Sequence, residues 1–301
     1  MKGSFRKKRD EGRASGDFLR TDLACESPRE ARELEEETHG VGSMTVTVTR
    51  RTEEDGGKTA TLSCGRLTAC GEGELAPLAS LLAGELRRMA ERILGRPMTP
   101  DWRVLVAGLG NAAMTPDAIG PGTVGRLTVT RHLKAYDGAL FSALGCCELS
   151  AVTPGVMGQT GMESGELVKC AVGLTTPDLV VAVDALAARS CERLASTVQI
   201  SDGGISPGSG IGNRRMAITR ETMGCPVLGV GVPTVVDSAT LVWDALERAG
   251  MEADKLPPEL AEVLETGRSF IVSPRDSDRM VEMTCRLLAG ALDRAFGVET
   301  T

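Results

Sequence analysis

Apolar and polar residues alternate along Met44 to Arg50 (MTVTVTR) and, more loosely, along Lys58 to Leu67. With Glu54-Asp55-Gly56-Gly57 between them, this period of two predicts a β-hairpin. From Leu75 to Leu94 the apolar residues recur at helical spacing, basic residues gather near the end, and Arg96-Pro97 stops the pattern. Three short apolar runs carry no charge: Val104 to Ala107, Leu179 to Val183, and Val227 to Val232. Such runs suit central strands of a parallel sheet, buried on both faces. Shorter strands are predicted at Ser150 to Val152 and Thr197 to Ile200. Helices are predicted over Thr123 to Lys134, Glu163 to Leu174, Val235 to Arg248 and Asp276 to Phe296, with a helical turn at Thr219 to Met223. The charge-rich Glu26 to Thr38 reads as a short solvated helix, and residues 135–148 have no clear period. There is no internal repeat. The pattern as a whole predicts an α/β fold: a twisted, mostly parallel sheet flanked by helices, with an N-terminal hairpin.

Each of the three central runs delivers an acid. The first breaks at Gly108 into a loop, GLGNAAMTPDAIGPG, whose Gly108, Gly110 and Asn111 allow tight turning and whose Thr115, Pro116 and Gly120-Pro121-Gly122 keep it from a clean helix. That loop holds Asp117. The second run ends on Asp184, followed by Ala185-Leu186-Ala187-Ala188-Arg189, and the third ends at Gly231-Val232-Pro233 with Asp237 shortly after. An Asp that terminates a buried strand is expensive unless it is hydrogen-bonded or functional. Each alone could be a helix cap or turn residue. Three at the carboxyl edge of one sheet, where such folds place their ligands, point to a site.

Composition narrows the chemistry. The chain has 301 residues, 42% hydrophobic content, 36 glycines, 3% aromatics and a net charge of −7. The acidic balance argues against a general nucleic-acid binder, and no apolar stretch approaches the roughly 20 residues a membrane span needs. Residues 1–22 hold seven basic and four acidic residues, a net +3, which leaves −10 on the remainder. That basic tail lacks an apolar core and is not a secretory signal. Nine cysteines without a Cys-x-x-Cys pair suit reduced thiols in a cytosol-like compartment, and adjacent Cys146 and Cys147 read as ordinary buried small residues.

Several motifs fail their context. Gly108-Leu-Gly110-Asn-Ala-Ala113 resembles a dinucleotide fingerprint, but Met114-Thr-Pro116 interrupts the helix such a fingerprint needs, and no second strand ends on an acid at the right distance. Ser206 to Asn213 (SPGSGIGN) lacks the Gly-Lys-Ser/Thr of a phosphate loop. Only two histidines occur, His39 and His132, so a His-based metal site or a Ser-His-Asp triad has little to draw on, and His132 reads as an ordinary helix residue. What remains is a carboxylate pair, Asp117 and Asp184. Two such groups brought close in a partly dry site cannot both ionise easily. The charged member can activate water, and the protonated member can polarise a carbonyl or protonate a leaving nitrogen. Those are the requirements for peptide hydrolysis without a metal, a cofactor or a covalent intermediate, and the position of the two acids at two strand ends makes their meeting an expectation. Asp237 and Arg189 are candidates for supporting roles.

The segments RTDLACE (Arg20 to Glu26), VAGLGNAAMTPDAIGP (Val106 to Pro121), VTRH (Val129 to His132), AVTPGVMGQTGMES (Ala151 to Ser164), VAVDALAARSCERLASTVQISDGGISPGSGIGNRR (Val181 to Arg215), GVGVPTVVDSAT (Gly229 to Thr240) and FIVSPRDSD (Phe270 to Asp278) follow one another across nearly the whole chain. In this order they resemble the germination protease family of spore-forming bacteria. The resemblance implies an atypical aspartic endopeptidase that degrades small acid-soluble spore proteins in the spore core, a cytoplasmic location. It further implies a homotetramer and a fold similar to the hydrogenase-maturation proteases. It places the two catalytic aspartates on Asp117 and Asp184. It also implies a zymogen: residues 1–22 would be a propeptide, 23–301 the peptidase domain, with the cut between Asp22 and Leu23 inside Thr21-Asp22-Leu23-Ala24-Cys25-Glu26, a mimic of the substrate cleavage sites. Cys25, the Ala112-Ala113-Met114 stretch and the poorly matching 135–148 segment depart from the pattern, without removing a catalytic residue. Two other readings stand beside it: a metal-sensing maturation protease of similar fold, and a non-catalytic nucleotide-binding α/β protein.

Overall fold

The structure is a computed structural model that describes residues 21–26, 31–207, 215–251, 257–267 and 270–298. Most of the basic tail and of the SPGSGIGN stretch lies outside these residues. In chain order the elements are β1 (Glu33–Val41), β2 (Met44–Thr52), β3 (Lys58–Ser63), α1 (Glu72–Leu94), β4 (Arg103–Gly108), α2 (Ile119–Val124), α3 (Arg131–Tyr136), α4 (Gly138–Leu144), β5 (Glu148–Val152), α5 (Met157–Thr160), α6 (Ser164–Thr175), β6 (Leu179–Ala188), β7 (Thr197–Ser201), α7 (Arg220–Met223), β8 (Val227–Asp237), α8 (Ser238–Arg248), α9 (Pro258–Gly267), β9 (Ile271–Val272) and α10 (Ser277–Phe296).

Among the described residues the nine strands make one sheet, ordered β1-β2-β3-β7-β8-β6-β4-β5, with β9 pairing on β8. The sheet is mixed rather than mostly parallel. The charge-free runs form its parallel half, β8-β6-β4-β5. The alternating strands and β7 make an antiparallel half joined to it through β7 and β8. The two periodicities in the sequence correspond to these two halves. Fully covered strands read apolar throughout, whereas strands with one freer face alternate.

The two faces divide the core. Val104, Val106, Val181, Val183, Leu228, Val230, Val232, Val198 and Ile200 pack under α1 and α10, whose Leu78, Leu82, Leu86, Leu288, Leu292 and Phe296 close that side. Leu105, Ala107, Val180, Ala182 and Val227 face the other way, against Val168 of α6 and Met223 of α7. Successive side chains point to opposite faces of a strand. Asp184 therefore shares the α6 and α7 face with Val180 and Ala182.

Several expectations are corrected. Glu33–Val41 is a strand, not part of a solvated helix. Its nine residues pair in register with β2, and Arg50 of β2 binds Glu37 at 3.0 Å and Glu85 of α1 at 2.6 Å. Pairing on a strongly alternating neighbour overrides the helical composition, and the exposed glutamates protect a sheet edge. The loop after β4 is more helical than its glycines suggest: Gly120-Pro121-Gly122 lie in α2. The single helix expected over Thr123 to Lys134 is two, α2 and α3, and α3 with α4 fills residues 135–148, where the Asp137 side chain caps α4. Two further helices, α5 and α9, lie where the periodicity predicts none. Strands β6 and β8 both continue past their expected ends, β6 through Asp184 to Ala188 and β8 through Pro233 to Asp237. They pair with each other along this extension, with a register shift at Leu186/Ala187.

Candidate active site

The β4 carboxyl end and α2 approach so closely that only glycine fits. A β-carbon at Gly120 would lie 2.2 Å from the Leu109 carbonyl oxygen, and one at Gly110 would lie 2.1 Å from that of Asp117. Gly110 also has φ +109, outside the range of ordinary L-residues. This crowding folds the loop back on itself. The Asn111 amide N–H then donates to Asp117 Oδ2 at 2.7 Å. Asn111 is itself pinned, its Oδ1 accepting from Gln159 Nε2 at 2.7 Å and from the Ala113 amide at 3.0 Å. Sequence reasoning gave Asn111 only a turning role; its effect is to aim one N–H at the carboxylate.

Asp184 sits within β6 and is 6% exposed. Its Oδ1 accepts from the Ala185 amide at 2.9 Å. The two acids line a common cleft of about 210 Å³ with Arg215, Ser164, Leu186, Thr234 and Asp22. Their environments separate them. Burial holds the Asp117 carboxyl above the usual carboxylate range, against the Asn111 N–H and the Arg215 guanidinium, which favour its charge. Burial first, then the charge of Asp117, pushes the Asp184 carboxyl up to about 8. The difference between the two environments favours charge on Asp117 and a proton on Asp184. Arg215 steadies that charge, a role its place in a glycine-rich sequence did not disclose.

The other two sequence candidates lie elsewhere. Asp237 is 2% exposed and caps α8, its Oδ1 accepting from the Ala239 and Thr240 amides at 3.0 and 3.1 Å; the residues lining the cleft do not include it. Losing such a cap costs about 1 kcal/mol or somewhat more. Asp237→Ala should lower the midpoint of thermal unfolding by a few degrees while activity per folded molecule stays near wild type. Full loss of activity in a folded variant would instead put Asp237 in the site. The Arg189 side chain pairs with Glu247 and Asp244 of α8, so its guanidinium ties β6 to α8. Its backbone amide donates to Glu26 Oε2 at 2.7 Å.

That amide belongs to a second feature. Residues 21–26 lie along the extension of β6. Asp22 exchanges two hydrogen bonds with Ala187: its N–H donates to the Ala187 carbonyl, and its Oδ2 accepts from the Ala187 amide, both at 2.9 Å. Leu23, 1% exposed, is buried among Leu186, Ala188, Leu194 and Val236. Glu26 accepts from the amides of Arg189 and Ser190 at 2.7 and 3.0 Å and from Thr21 Oγ1 at 2.5 Å, with the Arg193 guanidinium 3.4 Å away. Among the described residues, no group of three or more His, Cys, Asp and Glu is placed to hold a metal ion.

Comparison with known proteins gives one answer throughout. A family model described as Germination protease matches residues 29–253. The germination protease of Caldanaerobacter subterraneus subsp. tengcongensis is 48% identical over 170 residues, 56% of this chain and 50% of that protein. That of Clostridium acetobutylicum is 36% identical over 267 residues, 82% of this chain and 80% of that protein. That of Bacillus cereus is 39% identical over 246 residues, 76% of this chain and 66% of that protein. The match thus spans half the length of the first relative and four-fifths of the second.

Proposed function

The chain belongs to the germination protease family, and from that premise we propose that it is an aspartic-type endopeptidase that starts the degradation of small acid-soluble spore proteins during spore germination. One observation carries the reading. Two carboxyls face one cleft, in unequal environments that favour charge on Asp117 and a proton on Asp184. Asp117, its charge favoured by the Asn111 N–H and Arg215, takes a proton from water. Asp184 lends its proton to the scissile carbonyl oxygen and recovers it as the tetrahedral intermediate collapses, while Asp117 passes the proton it took from water to the departing nitrogen. General acid–base help of this kind contributes typically about 10²–10⁴-fold in rate.

The same reading makes residues 1–22 a propeptide, removed by a cut between Asp22 and Leu23. The mature protein would act as a homotetramer in the cytoplasm of the spore core, with a core fold akin to the hydrogenase-maturation proteases. No helix among the described residues is long and apolar enough to cross a membrane.

The test is cleavage of a purified small acid-soluble spore protein, with and without a chelator. Because the proposed chemistry uses carboxylates and water, activity should persist in EDTA. It should also survive alkylation of the native protein. Burial pushes the thiols of Cys64 and Cys147 up to about 12 and raises those of Cys25 and Cys285, leaving little reactive thiolate at these four; Cys170 and Cys191 are exposed, and neither lines the cleft. Stoichiometric zinc or nickel lost together with activity would favour the metal-dependent alternative. Binding of a dinucleotide without any cleavage would favour the non-catalytic one.

A further inference from the structure

Gln199 lies on β7, opposite Gly231 of β8, which lies opposite Asp184 of β6. Three residues in register across adjacent strands present their side chains to one face. Strands are roughly 4.8 Å apart, so Gln199 and Asp184 stand about 10 Å from one another across the bare Gly231. A β-carbon at Gly231 would meet Leu186 at 2.4 Å, so glycine here lets Leu186 lie flat across the row. Leu186 forms part of the wall that buries Leu23.

Over this row the Gln199 amide grips the chain at two points. Its Nε2 donates to the Asp22 carbonyl at 3.1 Å, and its Oε1 accepts from the Ala24 amide at 2.7 Å. Both ends of a buried primary amide are thus spent on peptide backbone, one on each side of Leu23. None of these contacts depends on the side chains of residues 22 and 24. Leu23 and Glu26 meanwhile fill an apolar socket and an anion-binding socket. The segment runs along β6 at Asp22 and closes into one 3-10 turn over Ala24–Glu26, with the Glu26 amide donating to the Leu23 carbonyl at 3.1 Å; backbone bonds hold it while two side chains enter sockets, the division of labour by which a peptide is read against a sheet.

We propose that residues 21–26 occupy the ground of a substrate peptide, and that Gln199 is the group that reads the substrate backbone there. Its Nε2 donates to the carbonyl that precedes the cut, and its Oε1 accepts from the amide of the second residue after it. This rests on the reading above that the cut falls between Asp22 and Leu23. On that reading the carbonyl Gln199 touches is the one attacked, and a positioned N–H there stabilises the oxygen as it gains charge. Gln199 exchanges no proton and forms no bond; the proton transfers stay with the two aspartates.

The two ends of the amide can be tested separately. The substrates are the peptide Arg-Thr-Asp-Leu-Ala-Cys-Glu and its ester analogue, in which oxygen replaces the N–H between Leu and Ala. In the wild type the ester should lower kcat/KM about tenfold, the loss of one hydrogen bond to a buried acceptor. In Gln199→Met, which keeps the length of the side chain without its polar groups, the ester should cost nothing further. The amide peptide should then be cut more slowly, chiefly through kcat. Gln199→Glu keeps the acceptor and loses the donor, so it should retain the ester penalty with a low kcat. An equal penalty in wild type and Gln199→Met, or none in wild type, overturns the proposal. So does a wild type that ignores the peptide yet cuts spore protein; that result leaves the dyad standing. Activity in Asp184→Asn would sink the dyad instead, while the ester penalty still decides Gln199.

Discussion

Asp184→Asn should give a folded protein that cuts peptide bonds at least about 10³-fold more slowly than wild type. Asn is nearly isosteric, and its Oδ1 can still accept from the Ala185 amide. It has no proton to lend and later recover. Asp117→Asn should fail equally, for the opposite reason: it cannot take a proton from water. Because the two act as a unit, the double variant should be no worse than either single one. Full activity in either, on spore protein or peptide, would remove the assignment. The pH profile of the wild type follows from the same environments. Activity needs Asp117 ionised and Asp184 protonated, so it should rise above the usual carboxylate range and fall as pH passes about 8. Stability should move too. Asp184 holds its proton more tightly folded than unfolded, so its contribution is full below about 3.8 and is lost as pH rises through about 8. Asp184→Asn has no such charge to bury. Its unfolding midpoint relative to wild type should therefore improve between pH 5 and pH 9, and a constant difference would show that burial does not strain the carboxylate.

How much of this was legible in the chain depends on whether the signal was local. The runs at Val104, Leu179 and Val227 are apolar because both of their faces are covered, and they mark the parallel half directly. The acids on or after them are legible for the same reason, since a charge against so apolar a run stands out. What the sequence hides is set by partners distant along the chain. Glu33–Val41 has the composition of a solvated helix and becomes a strand because β2 offers a complementary edge. Val232-Pro233 looks like a strand end; the chain continues because β6 continues beside it. Asn111, Arg215 and Gln199 carry no motif. Asn111 acts through a backbone N–H, Arg215 through its charge in the cleft, and Gln199 through a segment far from it in sequence. Asp237 shows the converse error: a cap after a strand imitates a site residue because both functions call for a short acid at a strand end.

Mild acid should shorten the full-length protein to a form that begins at Leu23, and the Asp184→Asn protein should stay full-length. Residues 1–22 carry a net +3 against −10 on the remainder, so charge alone favours their lying on the rest of the chain. The described end of that segment is held by carboxylates: Asp22 accepts from the Ala187 amide, and Glu26 from the Arg189 and Ser190 amides beside Arg193. Acid reduces the negative charge of the surface that attracts the tail. It also keeps the proton on Asp184 that the chemistry requires. Asp22→Asn and Glu26→Gln replace charged acceptors by weaker neutral ones in the contacts that seat the segment, so each variant should process more slowly than wild type. N-terminal sequencing of the products over a pH series is the measurement. A new terminus other than Leu23, or processing of purified Asp184→Asn at the wild-type rate, would mean that the segment is not a propeptide removed by this site.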